Sequence, residues 1–383
     1  MKVLYDHQIF EYQKTGGISR YFVELFKHFD TNSINFEIAL KFSNNLYISQ
    51  LTNLDINKIV DFREEFLKGI NFPGKGRLFN ALQQHYPDRY PIYYAENIKH
   101  SIDLIQKNDF DIFHPTYYNP YFLDYLGNKP FVLTIHDMTH EIYPEFISSN
   151  DQTVKWKRLL VKKANHIIAV SETTRNDIID FYEIKKEKIT VVHHGHNAQV
   201  YSKNRLISSE YFLYVGERKG YKNFLFLLLS IADILIRYNI KLVCTGNPFT
   251  DDEKKFFKDI MVETHVIHRF SLENELFSLY NNALALIFPS IYEGFGMPIL
   301  EAFSANCPVV LSDTTCFREV AGDAALYFSP KDRDGIRKQV TKIINDQIIR
   351  AEMIGKGRAR LDHFTWEESV AKHQDIYRSI LKK

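Results

Sequence analysis

A chain of 383 residues exceeds what one hydrophobic core comfortably organises, since single cores stop growing at about 250 to 300 residues, so two domains are expected. An apolar fraction of 45% with 25% charged residues is the balance of a folded globular protein and excludes a long disordered polar tract. With 48 basic and 47 acidic side chains the net charge is +1, which excludes a whole-molecule field suited to nucleic acid and makes any basic patch local.

Short β-branched or aromatic runs alternate with amphipathic stretches along the whole chain, the pattern of βαβ units and parallel sheets. In the first half the predicted strands cover residues 2–5, 36–40, 112–114, 131–135, 166–170 and 189–193. The opening ten residues carry Asp6 and His7 where a signal peptide needs its apolar run. Cys244, Cys307 and Cys316 form an odd set without metal-ligand spacing and are read as buried thiols, so a reducing, cytoplasmic location is expected. Residues 62–94 mix Lys68, Lys75, Arg77 and Arg89 with aromatics and the pair Pro73-Gly74, and read as a long insertion. Residues 198–210 are polar and without period, which places a linker there.

A second sheet is predicted from strands at 211–215, 241–245, 266–268, 285–289, 308–311 and 325–328. The most apolar segment, 224–236, is interrupted by Asp233 and falls short of the roughly 20 residues of a spanning helix. A closing helix is expected at 366–381, where Trp366, Val370, Ile376, Tyr377 and Ile380 keep mostly helical spacing. The expected domains are 1–197 and 198–365, with 366–383 packing back on the first.

The stretch Pro289-Ser290-Ile291-Tyr292-Glu293-Gly294-Phe295-Gly296-Met297-Pro298 follows an apolar strand, turns through two glycines and reaches a proline suited to a helix's first turn. Backbone N–H groups at Gly296 and Met297, with the positive end of the helix dipole, make an anion site for a diphosphate. Glu293 and Glu301 flank it; carboxylates repel phosphate, so these two suit sugar hydroxyls on either side. Gly216-Glu217-Arg218-Lys219-Gly220-Tyr221-Lys222 is a glycine turn leading from a strand into a helix. It brings Arg218, as a fork of donors, and Lys222, as a point charge, toward the same anion, while Lys219 is read as solvated.

Gly16 and Gly17 open an amphipathic helix after the first strand and let backbone come close to a ligand, against the plainer reading of a tight turn. No third glycine completes G-x-G-x-x-G, so hydride transfer has no specific support. His136 and Asp137 end the strand 131–135, where open α/β sheets place ligand groups; His136 is assigned to the site and Asp137 to capping the next segment. A metal at His193-His194-Gly195-His196 is rejected, because neighbours on a strand point to opposite faces and no Cys or carboxylate is spaced to complete the set. Asp109 and Asp111 precede their strand and read as a turn.

From residue 211 to residue 330 the chain closely resembles glycosyltransferase family 4. The resemblance rests on Val215-Gly216 through Lys222-Asn223, on Phe270-Ser271-Leu272-Glu273-Asn274-Glu275-Leu276, on Glu293 and Glu301, and on Pro308-Val309-Val310 through Glu319-Val320-Ala321-Gly322-Asp323-Ala324. Weaker matches at Gly16-Gly17, His136, Val170-Ser171-Glu172 and Phe364-Thr365-Trp366-Glu367 extend it over most of the chain, with 62–94 the least covered. Two departures stand out: Arg318 occupies a position where proline is common, and Arg218 comes two residues after Gly216 where many members have arginine directly after.

The resemblance implies an α/β fold of GT-B architecture, two Rossmann-like domains whose parallel sheets face a central cleft. It implies that Arg218 and Lys222 hold the donor diphosphate, that Glu301 bonds the ribose, and that Glu293 contacts the transferred sugar. Backbone near Arg269 and Phe270 would meet the base, His136 would lie beside the sugar, and Gly17 would approach the donor phosphate. It further implies retention of anomeric configuration by front-face attack, in which the leaving phosphate helps take the acceptor's proton; this requires neither metal nor cofactor.

The expected activity is transfer of a hexose, with mannose from a guanosine diphosphate donor as the leading case, to a polysaccharide or lipid-linked glycan such as lipopolysaccharide. A UDP-sugar donor, a nucleotide-sugar epimerase and an inactive sugar-binding scaffold are the rivals; a phosphorylase needs a pyridoxal lysine in a much longer chain. The joint presence of His136, Glu293 and Glu301 argues against the scaffold. The insertion 62–94 is expected to be an acceptor or membrane-surface contact, or else a flap over the first domain's core. Nucleic acid is not an expected partner.

Overall fold

All twelve apolar runs become β-strands, and the amphipathic stretches between them become helices. The computed structural model describes residues 1–30, 33–51, 54–59, 90–197, 205–270 and 273–382, with Ile70, Phe72, Gly74, Lys75 and Leu78 as isolated positions. Most of the insertion 62–94, residues 198–204 of the linker, and Ser271 and Leu272 lie outside the described residues.

The strands are β1 (Lys2–Asp6), β2 (Asn35–Ala39), β3 (Ile112–His114), β4 (Val132–Ile135), β5 (His166–Ala169) and β6 (Ile189–Val191) in the first half. The second half has β7 (Tyr211–Tyr214), β8 (Lys241–Cys244), β9 (Val266–His268), β10 (Ala285–Phe288), β11 (Val309–Ser312) and β12 (Leu326–Phe328). The six later strands form one sheet in the order β12-β11-β10-β7-β8-β9, with parallel pairing throughout. The first six divide into two three-stranded sheets, β2-β1-β3 and β4-β5-β6, where the sequence predicts one. The ladder breaks at the proline before β4: Pro130 has no N–H to give, and only an isolated parallel bridge, Phe113 with Phe131, crosses the gap.

By packing, the chain divides into two compact units. The first comprises Met1–Thr134, Lys155–Ile167 and His373–Lys383; the second comprises Ile135–Val154 and Ile168–Lys372. Residues 135–154 and 168–197, assigned to the N-terminal domain on sequence, thus pack in the second unit, and the last turns of the helix Trp366–Leu381 pack in the first.

In the second unit the strand period of two sorts the side chains cleanly. Tyr211, Leu213, Leu286, Phe288, Val309 and Leu311 join one core. Their neighbours Phe212, Tyr214, Ala285, Ile287 and Val310 join the core on the opposite face with the helix Phe224–Tyr238. A sheet covered on both faces leaves its strand ends as the places where polar loops gather, and the site is built there.

In the first unit, Tyr377 bonds the hydroxyl of Tyr5 at 2.7 Å and Nδ1 of His114 at 2.7 Å, while Tyr21 bonds Nε2 of His373 at 2.8 Å. These buried polar contacts fix the last turns of the final helix on β1 and β3. No helix among the described residues is long and apolar enough to cross a membrane.

Just beyond β1, the side chains of His7 and Glu11 are buried with Nε2 3.7 Å from Oε2. Burial pushes the Glu11 carboxyl up from its ordinary 4.5 to about 7. Burial, helped by His100, pushes His7 down from 6.5 to about 3. The two act on stability with opposite sign: the folded state holds the extra Glu11 proton, so that contribution is lost as pH rises from 4.5 to 7, whereas unpaired protonation of His7 in the unfolded chain makes its contribution grow from pH 3 to 6.5. Over their common window the slopes cancel. Glu11→Gln is expected to unmask the His7 slope, gaining on the order of 3 kcal/mol relative to wild type between pH 4.5 and 7. Urea midpoints at pH 4.5, 6 and 7.5 measure this, and a difference between the two proteins that does not change with pH contradicts it.

Candidate functional site

The order of the larger sheet reverses between β7 and β10: the chain runs outward through β8 and β9 on one side and through β11 and β12 on the other. Open α/β sheets bind ligands at the carboxyl ends flanking such a reversal. The loop after β7 carries Arg218 and Lys222, and the loop after β10 carries Glu293 to Met297, so residues more than seventy positions apart are brought to adjacent strand ends.

Lys222 and Glu293 form the centre of this arrangement, with Nζ 2.6 Å from Oε1. Burial opposes the charge on Lys222, but the carboxylate of Glu293, together with Tyr221 and Asp137, outweighs it and holds the ammonium's pKa above the usual lysine range. Beside it, Gly296 takes φ 99° and ψ 52°, a left-handed conformation that an L side chain resists, and caps the helix Met297–Ser304 with Pro298 in its first turn. Gly216 has φ 117° and Gly246, after β8, has φ 97°; a Cβ on Gly246 would come to 3.0 Å from the Gly216 carbonyl oxygen.

Arg218 is placed differently from Lys222. Its guanidinium is buried, donating from Nε to Glu253 at 2.7 Å and from Nη2 to Glu253 at 3.2 Å and to the Pro248 carbonyl at 3.0 Å. It packs over the ring of Phe249 with 4.8 Å to the centroid, and its Nη1 is a buried donor with no hydrogen-bond partner. Glu253 is the N3 residue of a capping box with Thr250 at the start of the helix Asp251–Asp259, so Arg218 ties the loop after β7 to that helix.

Glu301, on the helix Met297–Ser304, is buried and accepts from the Tyr280 hydroxyl at 2.7 Å. His136 follows β4 and is buried, with its ring edge-on to His194 at 6.4 Å. His194 in turn stacks on Phe295 at 4.6 Å and 16°. Gly294 lies against His136 so closely that a Cβ would sit 1.8 Å from the His136 carbonyl oxygen. Asp137 accepts from Thr139 N at 2.9 Å, while Met138 occupies the cap position of the helix Thr139–Ile142. At the far side of the row, Arg269 donates its N–H to Cys244 at 2.9 Å after β9, and Phe270 is 63% exposed. Thus His136, Lys222, Glu293, Gly294, Phe295, Gly296 and Met297 gather on one set of loops; Arg218 faces Glu253, and Arg269 and Phe270 stand at the strand end two places from β7.

Gly16 and Gly17 belong to the first unit. A Cβ on Gly16 would meet the Gln13 side chain at 2.3 Å, and that side chain, which accepts from Ser19 N at 3.0 Å, would have to give way. At Gly17, the first residue of the helix Gly17–His28, a Cβ would meet no protein atom within 4 Å.

Three partnerships lay outside the sequence reading. Tyr292 donates to Asp177 at 2.6 Å and accepts from Met138 N at 3.1 Å. Glu319 accepts from His193 at 2.8 Å, from Glu172 N at 2.8 Å and from Thr173 N at 3.3 Å. Burial would raise the Glu319 carboxyl, but these donors outweigh it and hold its pKa below the ordinary value. Glu253 is the third, and Thr250-x-x-Glu253 was a readable capping signature. Among the described residues no group of three or more His, Cys, Asp or Glu is placed to hold a metal ion, and all three cysteines are buried free thiols.

Two family models match consecutive parts of the chain: one for Glycosyltransferase Family 4 over residues 15–200 and one for Glycosyl transferases group 1 over residues 201–360. The chain is 32% identical over 216 residues to the O-antigen chain mannosyltransferase RfbU of Salmonella typhimurium, a match covering 55% of this chain and 60% of that protein's length. It is 27% identical over 296 residues to the O-antigen chain mannosyltransferase B of Escherichia coli, covering 70% of this chain and 74% of the other. Among solved structures it superposes on Anabaena HepE in complex with UDP-glucose with a TM-score of 0.73 at 16% identity, covering 99% of this chain and 100% of that one.

Proposed function

The chain belongs to glycosyltransferase family 4 and has the GT-B fold, and from that premise we propose that it is a retaining mannosyltransferase using a guanosine diphosphate donor and a growing or lipid-linked glycan acceptor. The observation that carries the reading is the Lys222–Glu293 pair at a helix N-terminus on the sheet's reversal point. One member suits a diphosphate and the other a sugar's hydroxyls, at hydrogen-bonding distance from each other. The names of the O-antigen mannosyltransferase relatives support mannose over other hexoses.

In this reading the N–H groups of Gly296 and Met297, with Lys222, hold the diphosphate, and the one unused donor of Arg218, Nη1, adds to them. Glu301 takes the ribose hydroxyls, the base lies toward Arg269 and Phe270, and His136 lines the sugar. Glu293 serves as a hydrogen-bond acceptor rather than as a nucleophile, because a carboxylate matched to an ammonium at 2.6 Å is stabilised against attack. The acceptor's proton then leaves with the departing diphosphate on the same face, and configuration is retained.

A donor panel of GDP-mannose, UDP-glucose, UDP-galactose and UDP-N-acetylglucosamine, with released nucleotide as readout and bacterial lipid-linked glycan as acceptor, tests this. GDP release from GDP-mannose is expected; UDP release alone reverses the donor assignment, and no release from any donor ends the enzymatic reading. Glu301→Ala is expected to weaken GDP-mannose binding about 10- to 100-fold, from a charge-assisted hydrogen bond worth about 1.5 to 3 kcal/mol. Calorimetry showing unaltered affinity removes Glu301 from the ribose.

A further inference from the structure

Glu293 also borders a cavity of about 340 Å³ within the second unit. Its polar walls are Asp177 from the helix Glu172–Tyr182, Asp313 and Thr314 beyond β11, and Thr315 at the start of the next helix. Lys222 does not line it. We propose that this cavity receives a neutral sugar unit of the acceptor glycan, an inference that rests on the glycosyltransferase reading above.

The chemistry of the walls selects among ligand classes. Each carboxylate is fixed by one partner: Asp177 by the Tyr292 hydroxyl at 2.6 Å, Glu293 by Lys222 at 2.6 Å, and Asp313 by Arg318 through contacts of 2.7 and 2.8 Å. A carboxylate offers about four lone-pair sites, so each retains acceptor capacity in a set orientation, which is what donating sugar hydroxyls require. A phosphate is disfavoured, since the walls present three carboxylates and the nearby cations are already matched to them. A metal ion is disfavoured too, because these carboxylates do not converge into a ligand set. Ile142, Ile291 and Tyr292 supply the apolar part of the lining, suited to the C–H face of a pyranose. The volume sits at the low end of the roughly 300 to 1,000 Å³ of small-molecule sites, room for one or two sugar rings. Sharing Glu293 with the donor site places such a sugar next to the transferred one.

Two substitutions test the cavity without touching the residues assigned to the donor. Thr315→Trp fills it from an exposed position, and Asp177→Asn removes one charge while leaving an oxygen for Tyr292. The probe is methyl α-mannoside followed by saturation-transfer NMR, with inorganic phosphate as the anionic control and GDP binding by calorimetry as the check on the donor site. Signal transfer to the glycoside is expected in the wild type, lost in Thr315→Trp and weakened tenfold or more in Asp177→Asn, with GDP affinity unchanged in both. Glycoside binding that survives both substitutions, displacement by phosphate, or absence of transfer in the wild type overturns the proposal. Wild-type turnover of GDP-mannose alongside any of those outcomes refutes the cavity alone, whereas failure of every donor refutes the activity on which it rests.

Discussion

Lys222→Ala is expected to lower turnover by on the order of 100-fold or more at saturating donor, because charge builds on the diphosphate as its bond to the sugar breaks. A cation held beside Glu293 at 2.6 Å and largely shielded from water needs no reorganisation when that charge appears. Its pKa lies above the ordinary lysine value, so the charge is present throughout the neutral range and no pH adjustment mimics the substitution. Lys222→Arg is not expected to restore the rate, since a planar fork differs in reach and shape from an ammonium. Removing the lysine alone strands Glu293, at a folding cost of about 3 to 5 kcal/mol for a buried unpaired charge, so the melting temperature of each variant is followed beside its rate. Steady-state kinetics with circular dichroism on both proteins makes the measurement. A folded Lys222→Ala enzyme that keeps its kcat and changes only KM shows that the lysine binds ground and transition states alike.

Gly294→Ala is expected to lower the melting temperature by roughly 10 °C or more, from a loss on the order of 4 kcal/mol. The new Cβ would lie 1.8 Å from the His136 carbonyl oxygen, 2.8 Å from its carbon and 2.9 Å from Cβ of Asp137. A Cβ has no rotamer through which to escape, and two of its three obstacles are main chain, so one of the two backbones must move. The Thr174 hydroxyl that donates to the Gly294 carbonyl at 3.2 Å must follow or break. Gly17→Ala is the control: no protein atom lies near its Cβ, so it should leave the melting temperature unchanged. Thermal scans decide the matter, and a Gly294→Ala protein that melts like the wild type shows that the contact relaxes freely.

Much of this fold is legible locally because a parallel sheet covered on both faces demands continuous apolar strands, and Val309-Val310-Leu311 or Leu286-Ile287-Phe288 have no other use for such runs. What depends on pairing is less visible. The split of the first six strands into two sheets turns on Pro130, whose missing N–H matters only once β3 and β4 approach each other. The loops of the site were readable as glycine turns after strands, yet why Gly294 must be glycine lies in His136, remote in sequence. Arg218 and Lys222 look alike in sequence as loop cations; only the packing of Glu253 against one and Glu293 against the other tells their surroundings apart. Asp177, Tyr280 and Glu319 carry no local signal, since each acquires its partner across the fold.

The ion pairs at the ends of β7 and β10 have a consequence for how a dianionic substrate finds the site. Lys222 is matched by Glu293 and Arg218 by Glu253, so these four groups present no net field to solvent. Attraction for the donor is therefore short in range, arising from backbone N–H groups and from rearrangement of pairs on contact, and dissolved salt has little to screen. Under the roles proposed for Glu301 and Glu293, free phosphate brings charge but neither ribose nor hexose for them, and it meets no uncompensated cation among these four groups. A nucleotide sugar is thus distinguished from the abundant small anions around it before any question of which sugar it carries.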